Sequence, residues 1–297
     1  MHSRPVHVRR LHVQTGDRRR LRVEVAGDGG RVVVAHVGSP NAGRAFGRWL
    51  DDAAARDLTL VTYDRPGYGE STPQPGRTVA NCASDLQAIA AAVGFDRCAV
   101  WGFSGGGPHA LASAALAPDL VTAVATIGSP APFDALGLDY FAGMSNEARE
   151  DIELQSSDRA SWERMGADQR DQLLALGLDE FREAWSAGAS PADVTTLQGD
   201  FGAWLHQVVH AGLAPGVEGW TADDLAFHSP WGFTPSSIAV PARLWHSRDD
   251  GFVPVGHGEW LADAIPGAER AFGETDGHLS VAGEQIGVVH EWLARHI

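Results

Sequence analysis

Lysine is absent from the sequence, and all 23 basic residues are arginine. That excludes chemistry needing a primary amine: Schiff-base catalysis, lysine-anchored pyridoxal phosphate and the Walker-type phosphate loop. Cysteine is nearly as scarce, with only Cys82 and Cys98. Two thiols make neither a disulfide framework nor a zinc site, and both read as reduced, buried small hydrophobes. No apolar run approaches the ~20 residues a membrane span requires, so no membrane partner is expected. The stretch from Met1 to Arg22 is rich in Arg and His and lacks the apolar core of a secretory leader, which predicts a cytoplasmic chain. Positive charge is also short: 38 acidic residues leave a net charge of −15. That balance disfavours nucleic acid as a partner.

What is present suits a folded enzyme-sized chain. Hydrophobic residues make up 44% of the 297 residues and charged residues 21%, enough apolar material for a sizeable core. Val6 to Val13 and Leu21 to Val25 alternate apolar and polar residues around Thr15-Gly16-Asp17, predicting a β-hairpin. Strand-like runs follow at Arg31 to Val37, Leu58 to Tyr63, Cys98 to Phe103 and Val121 to Ile127. Helical spacing separates them at Ala45 to Arg56, Val79 to Val93 and Gly106 to Leu116. This alternation predicts an α/β fold with a mostly parallel sheet covered by helices on both faces. From Pro130 to Ser229 the spacing turns mainly helical. Alternation returns with Ala242 to Trp245, a helix over Gly258 to Ile265 and a strand over Arg270 to Phe272. A last helix is predicted from about Glu284 to His296. The organisation is therefore read as a core over residues 1–129 and 230–297, interrupted by a helical insertion over 130–229.

The sharpest chemical signal is Gly102-Phe103-Ser104-Gly105-Gly106, between a strand and a helix. In that context G-x-S-x-G forms a nucleophile elbow, a strained turn whose flanking residues must be small. It can also be read as a glycine-rich turn carrying an incidental serine. A serine hydroxyl needs a base, and the base needs an orienting acid. Asp250 and His278 each follow a predicted strand, in the chain order Ser, Asp, His, at the strand ends where α/β sheets place their sites. Asp249 is the alternative acid. An oxyanion would need backbone donors. The amide of Gly105 is the first candidate. The amide of Ser39, made available by the flexible Gly38, is the second, although this segment also reads as an ordinary turn. Other histidines fit less well. His36 and His109 are read as core residues, and His246 precedes Asp250 and breaks the order. His206 and His210 have metal-like spacing but no third ligand, so they are read as a solvated helix face. No metal is expected.

At this point the sequence resembles the α/β-hydrolase superfamily, in its serine-hydrolase branch with a helical cap. The resemblance rests on Gly102 to Gly106, on His36-Val37-Gly38-Ser39-Pro40, and on Asp64-Arg65-Pro66-Gly67-Tyr68-Gly69-Glu70-Ser71. It rests also on the downstream Asp-x-x-Val-Pro and Gly-His segments, and so spans nearly the whole chain outside the insertion. It implies Ser104 as nucleophile, Asp250 as acid, His278 as base and no cofactor. Val37 departs from the family pattern, in which the oxyanion-loop His directly precedes Gly. Relatives with an aspartate nucleophile, the haloalkane dehalogenases and epoxide hydrolases, are disfavoured by Ser104.

The insertion bears on substrate. Trp162, Trp185, Trp204 and Trp220, together with Gly38 and Phe103, are candidates to line an apolar pocket, or the tryptophans simply dock the insertion. The insertion carries 18 acids against 5 arginines, read mainly as a solvated face and otherwise as a field for amine substrates of the proline iminopeptidase kind. The expected activity is hydrolysis of a small, largely apolar ester or lactone by a monomer or homodimer. An aminopeptidase, a carbon–carbon bond hydrolase and a non-catalytic small-ligand receptor are the alternatives.

Overall fold

A computed structural model describes residues 6–157 and 159–297. Residues 1–5, part of the leader-free start expected above, and Asp158 in the insertion lie outside the described residues. Eight strands among the described residues form one sheet in the order β1-β2-β4-β3-β5-β6-β7-β8. The predicted hairpin is present as β1 (Val8–Gln14) and β2 (Arg20–Ala26), paired antiparallel. β2 also runs antiparallel to β4 (Leu58–Tyr63). The remaining neighbours, β3 (Arg31–His36), β5 (Cys98–Phe103), β6 (Val121–Ile127), β7 (Ala242–Ser247) and β8 (Glu269–Gly273), are parallel.

The near-continuous β-branched runs reflect burial on both faces of the sheet. In β3, Val32 and Val34 enter one hydrophobic cluster while Val33 and Ala35 enter the other. The first cluster is closed by α2 (Cys82–Val93), α3 (Gly106–Leu116) and α10 (Val255–Ala264). The second is closed by α1 (Gly47–Ala55) and α12 (Ile286–Ala294), with Trp49 of α1 edge-on to Trp101 of β5 at 4.9 Å. Cys82 and Cys98 are free and buried. No described helix is long and apolar enough to cross a membrane.

Between β6 and β7 the described residues form six α-helices: α4 (Asn146–Ser157), α5 (Arg159–Ala175), α6 (Leu178–Ser186), α7 (Pro191–Gln198), α8 (Asp200–Leu213) and α9 (Glu218–Phe227). α8 supplies Phe201, Trp204, Leu205, Val208 and Val209 to the second core cluster, so this segment is packed on the sheet domain by apolar burial. The expected last helix is present as α12, and a short helix that the sequence did not predict, α11 (Ser280–Glu284), precedes it, with Gln285 between them outside helical geometry (φ −118, ψ 15). The helix expected over Gly258 to Ile265 begins earlier, at Val255, directly after Pro254, whose fixed φ suits a helix entry.

Candidate active site

The sheet register gathers the candidate residues at the carboxyl ends of the parallel strands. His36 pairs with Gly102, Phe103 with Ile127, Ile127 with Trp245, and Ser247 with Gly273. The segments just beyond these pairs carry Gly38–Ser39, Ser104, Gly128, Asp250 and His278 respectively. Five loops thus meet along one edge.

Ser104 sits at φ +52, in the left-handed region that non-glycine residues rarely occupy. Its amide donates to Ile127 O at 2.8 Å and its carbonyl accepts from Gly107 N at 2.8 Å, which hold the turn in place. The flanking glycines are required by space. A Cβ on Gly102 would lie 2.3 Å from Gly106 O, and one on Gly106 would lie 1.9 Å from His36 O. Both contacts are with backbone, which cannot yield without moving a strand.

His278 Nδ1 is 2.8 Å from Asp250 Oδ2. Asp250 Oδ1 accepts the amides of Phe252 at 2.9 Å and Val253 at 2.8 Å, so the carboxylate is fixed by its own turn. Burial would push the His278 imidazole down. The Asp250 charge and hydrogen bond override it and hold the group above its ordinary value. Burial likewise opposes ionisation of Asp250, and the imidazole of His278 outweighs it, leaving the carboxyl below the usual range. With Nδ1 donating to Asp250, the Nε2 lone pair is left for a proton. Asp249, the alternative acid, is exposed. His246, set aside on chain order, flanks the pair, with Nε2 3.5 Å from Asp250 Oδ2 and 2.8 Å from Val253 O. The ring of His278 lies against Phe103 and Phe252, each at 5.2 Å. Gly128, at φ +57, leaves room for this pair: a Cβ there would approach His278 Nδ1 to 2.8 Å.

A cavity of about 180 Å³ joins these groups. It is lined by Gly38, Ser39, Asn41, Phe103, Ser104, Trp185, Leu205, Phe252, Val253, His278 and Leu279. The Ser104 hydroxyl and the His278 imidazole share this cavity without a direct hydrogen bond to one another. Ser39 and Gly105 face each other, since a Cβ on Gly105 would lie 2.7 Å from Ser39 Oγ.

Of the four tryptophans considered for the pocket, Trp185 lines the cavity. The other three are corrected. Trp204 donates Nε1 to Arg44 O at 3.1 Å and packs on Trp49 and Phe201, docking the insertion on α1. Trp162 and Trp220 pack edge to face on each other at 5.7 Å, away from the cavity. His206 and His210 are not a solvated face either. Both are half-buried with rings 4.1 Å apart, and His206 Nε2 is 3.0 Å from Leu176 O. Among the described residues no cluster of three or more potential ligands could hold a metal ion.

Sequence reasoning missed a second layer behind the site. Asp223 of α9 is fully buried at the centre of six contacts. Its Oδ2 accepts from Arg65 Nε (3.1 Å) and a terminal nitrogen of Arg65 (2.6 Å), from Tyr68 Oη (2.8 Å) and from Ser39 Oγ (2.7 Å). Its Oδ1 meets Arg77 at 2.6 Å and His109 Nε2 at 3.0 Å. Burial pushes His109 down to about 4, so it is neutral and its Nε2–H donates. Arg65 also donates to the carbonyls of Val37 and Gly38, gripping the loop that carries Ser39. The one available signal was the Asp64 to Ser71 motif. Its Asp64 closes the turn by accepting the amides of Gly43 at 2.7 Å and Glu70 at 3.0 Å, which aims Arg65 inward.

The sheet order, the strained serine turn and the strand-end placement define an α/β-hydrolase architecture. A family profile described as alpha/beta hydrolase fold matches residues 31–282, and the chain belongs to that family. Among individual relatives, the chain is 28% identical over 248 residues to a pimeloyl-[acyl-carrier protein] methyl ester esterase from Chromobacterium violaceum, covering 84% of this chain and 87% of that one. Among solved structures it resembles the esterase RhEst1 from Rhodococcus sp. ECU1013, with TM-score 0.69, 18% identity and coverage of 97% and 99%. It also resembles a thermophilic esterase from Thermogutta terrifontis, with TM-score 0.67, 20% identity and coverage of 97% and 100%. At these identities the solved structures speak for the fold alone.

Proposed function

We propose that the chain is a serine hydrolase that cleaves a small, largely apolar carboxylic ester or lactone through an acyl-enzyme. The observation that carries this reading is the 2.8 Å His278–Asp250 contact on the same cavity as the strained Ser104. In the proposed reaction His278 Nε2 takes the Ser104 proton as Oγ attacks the substrate carbonyl. Asp250 accepts Nδ1–H throughout and stabilises the imidazolium. The amides of Gly105 and Ser39 receive the developing oxyanion. The alcohol leaves with the proton from His278. Water, activated by the same imidazole, then releases the acid and restores Ser104. The missing Ser104–His278 hydrogen bond is one that would form in the substrate complex, where such contacts commonly tighten.

Substrate size follows from the cavity. Its volume, about 180 Å³, falls below the ~300 Å³ at which pockets for drug-sized ligands begin, which favours a short acyl group. Trp185, Leu205, Phe252 and Leu279 give that group apolar walls. The Chromobacterium relative, named as a methyl ester esterase, supports an ester as the bond cleaved. In this reading residues 130–229 act as a cap over the strand ends. The test is Ser104→Ala with p-nitrophenyl butyrate, together with labelling by a fluorophosphonate. Wild type should turn over and label at Ser104, and the variant should do neither while keeping its thermal unfolding curve. A folded variant that retains the wild-type rate would overturn the assignment.

A further inference from the structure

His278 is held from two sides, and only one belongs to the triad arrangement. Asp193 lies in the first turn of α7, inside the insertion, and is fully buried. Its carboxylate reaches across to the backbone of the loop that presents the imidazole. Oδ2 accepts the amide of His278 at 2.7 Å, and Oδ1 accepts the amides of Leu279 at 2.7 Å and Ser280 at 3.0 Å. Three successive backbone donors therefore converge on one carboxylate, with no cation paired to it among the described residues. Burying an ionised carboxyl is costly unless hydrogen bonds to the charged form compensate, and these are of the strong, charge-assisted kind. The arrangement is also fixed from behind, because the Asp193 amide donates to Ser190 Oγ at 3.1 Å, the N-cap of α7.

We propose that Asp193 is a positioning residue that holds the His278 imidazole in register from the insertion side, so that turnover depends on α7 being seated on the core. This rests on the hydrolase reading above. Asp250 fixes the ring by its Nδ1, while Asp193 fixes the peptide from which the ring projects. An error of about 1 Å in either constraint is enough to cost a catalytic group on the order of a hundredfold in rate. The charged and titratable groups facing His278 are Asp250, Asp193 and, across Asp250, His246.

The test is Asp193→Asn, which keeps the shape and removes the charge. The expected result is a kcat lower by roughly tenfold to a hundredfold with KM changed little. The acid limb of kcat/KM should move to lower pH, because a negative charge near the imidazole is lost. A purely structural role would not move that limb while leaving KM in place. Amide hydrogen exchange on the unaltered protein supplies a second readout that needs neither turnover nor a stable variant. The amides of His278, Leu279 and Ser280 should be protected and should open together with α7. Exchange of these amides at free-loop rates overturns the proposal. So does a folded Asp193→Asn variant with wild-type kcat and an unmoved acid limb, and that outcome leaves the hydrolase reading standing. A wild-type chain that neither hydrolyses the ester nor labels at Ser104 removes both.

Discussion

Replacing Asp223 by asparagine should be among the most damaging single changes outside the reacting groups. The variant keeps the side-chain shape but strips the charge that two nearly fully buried guanidinium groups, Arg65 and Arg77, share. The new amide could also turn its N–H groups towards the Arg65 and Arg77 guanidinium groups, which can only donate. Breaking a buried ion pair by removing one partner costs about 3–5 kcal/mol, since the stranded charge stays in a low-dielectric site. Spread over a chain of this length, with an unfolding entropy of about 2 cal/mol/K per residue, that corresponds to a fall in Tm of roughly 5–8 °C. The pH dependence has a definite sign. Burial opposes ionisation of Asp223, but Arg65 and Arg77 hold its carboxyl well below the usual carboxylate range. A group with a depressed folded pKa contributes its full stabilisation above its unfolded pKa and loses it as pH falls through the folded value. Wild type and variant should therefore differ most at neutral pH and converge in strong acid. Thermal unfolding of both proteins from pH 7 downwards measures this. A fall of less than about 1.5 °C at pH 7, under the ~1 kcal/mol that a single neutral hydrogen bond provides, would refute the reasoning. So would a gap that widens on acidification.

Two further predictions concern the chemistry. The kcat/KM profile for p-nitrophenyl butyrate should fall on the acid side with a midpoint above the ordinary imidazole value, because Asp250 raises His278 and the base must be neutral to act. Asp250→Asn should lower kcat on the order of a thousandfold or more and bring that midpoint down, and an unchanged midpoint would count against the pairing. Trp185→Ala should open the cavity and shift preference towards longer acyl chains with little loss of stability. Trp204→Ala should instead cost about 3–5 kcal/mol in unfolding free energy and leave chain-length preference alone. The reverse pattern, read from an ester panel and thermal melts, would mean that the wall and the docking residue have been misassigned.

The sheet was legible because its signal is local. Runs such as Arg31 to Val37 carry apolar residues on both faces, as a strand buried on both sides requires. The meeting of Ser104, Asp250 and His278 at the strand ends was legible because strand–turn–helix context and chain order constrain their placement jointly. Asp193 and Asp223 were not legible. Each is one of 18 acids in the insertion, and nothing in spacing separates a buried carboxylate from its solvated neighbours. Their roles are set by which helix face meets the core, a tertiary fact that arises 85 residues from His278 for Asp193 and 158 residues from Arg65 for Asp223. Which tryptophans line the cavity and which dock the insertion was not legible for the same reason. Trp162, Trp204 and Trp220 satisfy the composition of a pocket wall, yet the indole of Trp204 is taken up by Arg44 O and the aromatic cluster around Trp49. The short helix α11 likewise leaves no mark in the apolar spacing.

The placement of Arg65 and Arg77 limits how this scaffold can be rebuilt. Both side chains belong to the sheet domain, yet the carboxylate that neutralises them arrives on α9. A minimal version trimmed between β6 and β7 would inherit two orphaned cations beneath the Ser39 loop and would not be a smaller form of the same structure. Replacing residues 130–229 with a foreign segment would meet the same obstacle, unless the graft brought an acid to that spot or the two arginines were replaced along with it.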